Sequence, residues 1–222
     1  MSTRHGRPLA LIAALVVAAG CATTTVSEVD RLHAQAEYEK ALSYLRDRQP
    51  GPAVAALKEA VAIDPTAPVY WDTLGTVYLD LGRLDLALES LRRAVKLNPK
   101  YADAHFHLGT ALAESRRWEE AVVEYRVAIA LPTLTVPDLA HNNLGLALYS
   151  LKRYREAEES LRFALSLDPK LQAAYYHLGL LYTAEGRTDE AKAAYRQTVK
   201  LGSESPFGRA AVARLKDMGE GG

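Results

Sequence analysis

Residues 71–100 read WDTLGTVYLDLGRLDLALESLRRAVKLNPK. Trp71, Leu74, Tyr78 and Leu81 fall three or four apart, which places them on one face of a helix. Gly82 follows, and glycine readily takes the left-handed conformation that closes many helices. Leu84, Ala87, Leu88, Leu91, Ala94 and Val95 then mark one side of a second helix. Asn98-Pro99 ends it, because the residue before a proline is pushed out of the helical region. Gly75 lies inside the first helix, where glycine costs about 1 kcal/mol against alanine. Ala87 and Ala94 are small as well. The stretch therefore predicts two helices that approach closely at these small residues.

The unit recurs. Gly75, Gly109, Gly145 and Gly179 are 34, 36 and 34 residues apart, and Ala53, Ala87, Ala121, Ala157 and Ala191 keep almost the same register. The W-x2-L-G-x2-Y opening, the alanine of the second helix and the closing proline resemble the tetratricopeptide repeat, with Leu91 where that family favours phenylalanine. One pair of amphipathic helices cannot bury its own apolar faces, whereas stacked pairs bury a continuous core. The resemblance implies an all-α fold, a right-handed superhelix of antiparallel helix pairs. Five repeats are expected at 34–67, 68–101, 102–137, 138–171 and 172–205, followed by a capping helix and tail at 206–222. In the first repeat Glu37, Lys40 and Ala41 replace the Trp, Leu and Gly of the pattern, which suits an exposed end unit. The third is two residues longer, at Leu131-Pro-Thr-Leu-Thr-Val-Pro137. That segment reads either as a longer loop or as a contact site that changes the local superhelix angle. Phe207, Ala210, Ala211, Arg214, Leu215 and Met218 form the stripe of the expected cap.

Arg4 and Arg7 precede a 12-residue apolar run, Leu9 to Gly20, too short to span a bilayer and long enough for a signal peptide. Cys21, the one cysteine of the chain, follows at once. Val17-Ala-Ala-Gly-Cys21 resembles a bacterial lipobox, although Ala18 stands where leucine is commoner. The resemblance implies cleavage of residues 1–20 and acylation of Cys21, and two or more acyl chains anchor stably. Residues 21–33 are then a short polar linker that holds the repeats near the membrane. Ala22 is not the aspartate that favours inner-membrane retention, so the outer membrane, on its periplasmic face, is the expected location.

The chain carries 27 basic and 27 acidic residues, and composition gives no support for nucleic-acid binding. Removing residues 1–20 takes Arg4 and Arg7, leaving 25 bases against 27 acids. No nucleophile constellation and no glycine-rich phosphate loop is present, so the chain reads as a non-enzyme without cofactor. His105 and His141 hold the position of Trp71, and His107 and His177 share another. A metal bridging His105 and His141 is one reading, and packing histidines are the other, simpler one.

The tetratricopeptide resemblance puts function on the concave face, built from first helices. Its groove positions map here onto Tyr38, Leu42, Asp72, Thr76, Phe106, Thr110, Asn142, Leu146, Tyr149, Tyr176 and Leu180, with Val69, Leu79, Ala113, Leu139 and Thr183 beside them. That face is apolar and aromatic, and it lacks the cationic set with which chaperone-binding members hold a carboxylate. It suits an amphipathic helix or an extended segment, whose backbone Asn142 or Asn143 could bond. Anchor, tether, repeats and the Asn142-Asn143-Leu144-Gly145 run after a longer repeat also resemble the pilotin lipoproteins of type IV pilus biogenesis. That resemblance implies a role in secretin or pilus assembly, with a segment of an envelope assembly subunit as partner. A periplasmic scaffold docking peptidoglycan synthases or hydrolases is the alternative.

Overall fold

The computed structural model describes residues 26–220. The expectations for residues 1–20, for Cys21 and for the first part of the linker lie outside the described residues. Among the described residues there are eleven α-helices and no strand. They are α1 (Glu28–Arg46), α2 (Pro50–Ile63), α3 (Pro68–Asp80), α4 (Leu84–Leu97), α5 (Ala102–Glu114) and α6 (Trp118–Ala130), then α7 (Pro137–Ser150), α8 (Tyr154–Leu167), α9 (Gln172–Ala184), α10 (Thr188–Leu201) and α11 (Pro206–Asp217). Each odd-numbered helix from α1 to α9 packs on the next even one, the pairs stack in chain order, and α11 packs on α10. First helices also pack directly on one another, α3 on α5, α5 on α7 and α7 on α9, which places them on the inner side of the curve. No helix among the described residues is long and apolar enough to cross a membrane.

The glycines of the repeat are compelled by contact. A Cβ on Gly75 would lie 2.5 Å from Leu91 Cγ, and one on Gly179 2.4 Å from Tyr195 Cε1. Alanines 53, 87, 121, 157 and 191 are fully buried on the facing helices. Gly82 closes α3 with φ +69°, as its sequence predicts. The matching turn position is filled by Arg48, Arg116, Lys152 and Gly186, so arginine and lysine also accept the left-handed region here.

One boundary is corrected. The linker predicted over 21–33 gives way to helix at Glu28. Ser27 caps α1 by accepting from Asp30 N at 3.1 Å, and Asp30 Oδ2 accepts in return from Ser27 N at 3.3 Å. This reciprocal box satisfies two orphan amides and starts the helix early. The six-residue loop 131–136 is held by Thr135, whose N and Oγ1 both donate to Asp103 Oδ1, at 3.0 and 2.9 Å. At the far end Ser205 caps α11, and Gln172 Nε2 donates to the carbonyls of Thr198 and Gly202. Ala211 and Leu215 of α11 are buried against the last pair.

Candidate partner-binding groove

Two families of side-chain contact position the inner face. The first ties each opening aromatic to the loop before it. Trp71 Nε1 donates to the Pro65 carbonyl at 3.0 Å, and Tyr175 OH to that of Pro169 at 3.4 Å. His105 Nε2 meets the Pro99 carbonyl at 3.1 Å in the same manner. His141 is the exception. Its preceding loop is the lengthened one, its Nδ1 is buried without a hydrogen-bond partner among the described residues, and its ring lies 4.3 Å from that of Phe163. Burial lowers the pKa of His141, whereas the Glu124 carboxylate raises that of His105. His105 is thus held by two hydrogen bonds, and His141 by ring contact with Phe163. Among the described residues no group of three His, Cys, Asp or Glu is placed to hold a metal.

The second family is a ladder between consecutive first helices. Tyr38 OH and Thr73 Oγ1 lie 3.2 Å apart, Asp72 Oδ1 and His107 Nδ1 2.8 Å apart, and Asn142 Oδ1 and His177 Nδ1 2.9 Å apart. Each pair is 35 residues apart, one repeat plus one residue. Tyr101 OH adds a bond to the second oxygen of Asp72 at 3.2 Å. Burial pushes the His177 imidazole down to about 4, so it is neutral at physiological pH.

This ladder corrects part of the expected groove. Asp72 and Asn142 are 5% and 4% exposed, and their polar atoms face the next helix rather than a partner. Phe106 is also buried, its ring 6.1 Å from that of Tyr125. Tyr38, Leu42, Thr76, Thr110, Leu146, Tyr149, Tyr176 and Leu180 are half-buried along the inner face. Tyr176 is engaged from within the chain by Phe207 of the cap, ring to ring at 5.6 Å.

Between α5 and α7 the ladder stops, because Phe106 has no polar atom to continue it. A cleft of about 240 Å³ opens there, lined by Thr110, Ala113, Glu114, Trp118, Tyr125, Asn143 and Leu146. Tyr125 OH donates to Thr110 Oγ1 at 3.3 Å, and burial chiefly pushes its phenol up to about 12. Asn142 Nδ2 donates to Asn143 Oδ1 at 3.0 Å, so of the two asparagines it is Asn143 that borders the open groove. Mapping of groove positions reached Thr110, Ala113 and Leu146 of this cleft. It missed Glu114, Trp118 and Tyr125. Tyr125 and Trp118 come from the second helix of the pair, which a map of first-helix positions does not sample.

Tetratricopeptide repeat models match residues 73–133, 139–171 and 172–201, together more than half of the chain. The chain belongs to the tetratricopeptide repeat family. This repeat protein is 33% identical over 95 residues to small glutamine-rich tetratricopeptide repeat-containing protein 2 of Mycosarcoma maydis, covering 43% of the chain and 26% of that relative. The chain thus spans about a quarter of the length of that curated relative. The crystal structure of MamA matches with a TM-score of 0.66 at 28% identity, over 74% of the chain and 95% of MamA. That of PilW, described as a widely conserved type IV pilus biogenesis factor, matches with a TM-score of 0.70 at 21% identity, over 86% of the chain and 94% of PilW. At that identity the second likeness is one of fold.

Proposed function

We propose that this repeat protein is a membrane-anchored assembly factor whose concave groove holds a segment of an envelope assembly subunit, in the manner of the pilotin lipoproteins that aid secretin or type IV pilus assembly. The observation that carries the reading is the apolar and aromatic cleft at the break in the inner ladder. Apolar clefts with a few convergent polar groups are the usual seats of ligands, and a repeat array offers its inner face to proteins. The Cys21 signal supports an outer-membrane anchor facing the periplasm, and the fold shared with PilW supports the pilus connection. No step of chemistry is assigned to the protein, and it acts by binding.

The test is a strain lacking the protein, complemented by variants. Loss of the protein leaves secretin subunits as monomers, with few detergent-resistant rings. A Cys21→Ser variant partitions into soluble fractions. A Leu146→Gln variant, folded and anchored, reproduces the assembly defect. Normal rings without the protein overturn the pilotin reading and favour a scaffold for cell-wall enzymes, and a membrane-bound Cys21→Ser protein after a high-salt wash overturns the anchor.

A further inference from the structure

We propose that the cleft between α5 and α7 is built for a lysine or arginine side chain of the partner segment, an inference that rests on the groove being the binding face. Its walls are Ala113, Leu146 and the side chains of Trp118 and Tyr125. Two of its neutral polar oxygens are engaged inside the protein, whereas the Trp118 indole and the Asn143 amide nitrogen donate to nothing among the described residues. Thr110 Oγ1 donates to the Phe106 carbonyl at 3.0 Å while accepting from Tyr125, and Asn143 Oδ1 accepts from Asn142. The charged group of the lining is Glu114. It is exposed, lines the cleft and forms no ion pair among the described residues. Arg116, two residues on, stands in the left-handed turn outside the lining, and Arg117 is committed to Glu120 at 2.5 Å.

An apolar slot with aromatic walls and one uncompensated carboxylate matches a long alkyl stem that ends in a cation. Lysine and arginine bury such stems while the head stays polar, and their charge is attracted to the face of tryptophan or tyrosine. The protein sets one of its own arginines against an aromatic ring and a carboxylate at a different position of the repeat, between the fourth and fifth units. There the Arg187 guanidinium lies 4.2 Å from the centre of the Tyr182 ring and pairs with Glu158 at 2.7 Å. Asp80 holds the position of Glu114 one repeat earlier and is likewise exposed, whereas Ser150 and Ala184 hold it later. The basic end of the partner therefore lies over the second and third repeats. A chain-terminal carboxylate is disfavoured in the same cleft.

Panning a display library of random peptides on the purified protein tests this. Peptides retained by the protein, and lost when Ala113→Trp plugs the cleft, carry lysine or arginine beside an aliphatic residue. Should Ala113→Trp lose helix by circular dichroism, Leu146→Gln serves in its place. Glu114→Gln, an exposed change, weakens the selected peptides about tenfold, as loss of one contact to a charged group does. Glu114→Lys turns the preference toward acidic peptides. Groove-bound peptides without basic enrichment, or equal binding by Glu114→Gln, overturn the cation site and leave the groove reading standing. If no retained peptide is sensitive to the plug, the groove reading fails and the cation site with it.

Discussion

His105 Nδ1 stands 2.6 Å from a carboxylate oxygen of Glu124, while its Nε2 meets the Pro99 carbonyl at 3.1 Å. A carbonyl and an ionised carboxylate both accept, so satisfying both requires a proton on each nitrogen. The bond to Glu124 accordingly raises the His105 pKa above its ordinary 6.5 in spite of burial. A folded-state value above the unfolded one binds protons preferentially in the fold. The stabilisation is complete below the unfolded value of 6.5 and is lost as pH rises through the folded one. The unfolding midpoint should therefore fall between about pH 6.5 and the alkaline side, and Glu124→Gln should flatten that slope. A wild-type midpoint no steeper than that of the variant would refute the assignment.

His177 works in the opposite sense. Burial holds its pKa down at about 4, below the ordinary 6.5, with Asn142 Oδ1 at 2.9 Å from Nδ1. Its contribution is complete above 6.5 and is lost as pH falls toward 4. Hydrogen exchange in α9 should speed up across that window before α3 responds. Uniform exchange along the array on acidification would contradict it.

Two glycine substitutions separate contact from flexibility. Gly179→Ala drives a Cβ to 2.4 Å from Tyr195 Cε1 and should destabilise by about 1–3 kcal/mol. Gly51→Ala, in the first turn of α2, meets nothing within 4 Å beyond its chain neighbours, and Pro52 after it offsets alanine's helix preference, so it should shift stability by no more than about 0.5 kcal/mol. Urea unfolding of the two single variants separates a large loss from a small change, and equal losses would show that the close approach of α9 and α10 is not what fixes glycine at 179.

Asp72→Ala should cost stability rather than partner affinity. It strips the acceptor from both His107 Nδ1 and Tyr101 OH at a site 5% exposed, a loss of roughly 1–3 kcal/mol. Thermal unfolding and a titration with a groove-selected peptide read the two quantities apart. A stable variant with weakened binding would return Asp72 to the groove.

The repeat architecture was legible because steric necessity repeats: the glycine against Leu91 or Tyr195 and the buried alanines leave no other residue to choose. Asp72 and Asn142 misled because their position looks inward in the repeat pattern, and a polar residue facing inward resembles a ligand-binding one. The correction was nevertheless written in the chain, since an acceptor at 72 or 142 is followed 35 residues on by His107 or His177. Ser27 with Asp30 likewise carried the signature of a capped helix start within the expected linker. His105 and Glu124 could not be paired in advance, because the second helix brings Glu124 back by an angle that spacing does not encode.

The interrupted ladder also gives the array a mechanical character. On the inner side no side-chain hydrogen bond among the described residues joins α5 to α7, while Arg126 Nη2 and Glu156 Oε2 bind α6 to α8 at 2.7 Å, and Thr135 is tied to Asp103. A joint fastened at these two places and unfastened on its inner side bends most easily about its fastened edge. Bending would then open the inner side of the junction between the third and fourth repeats while that edge stays closed.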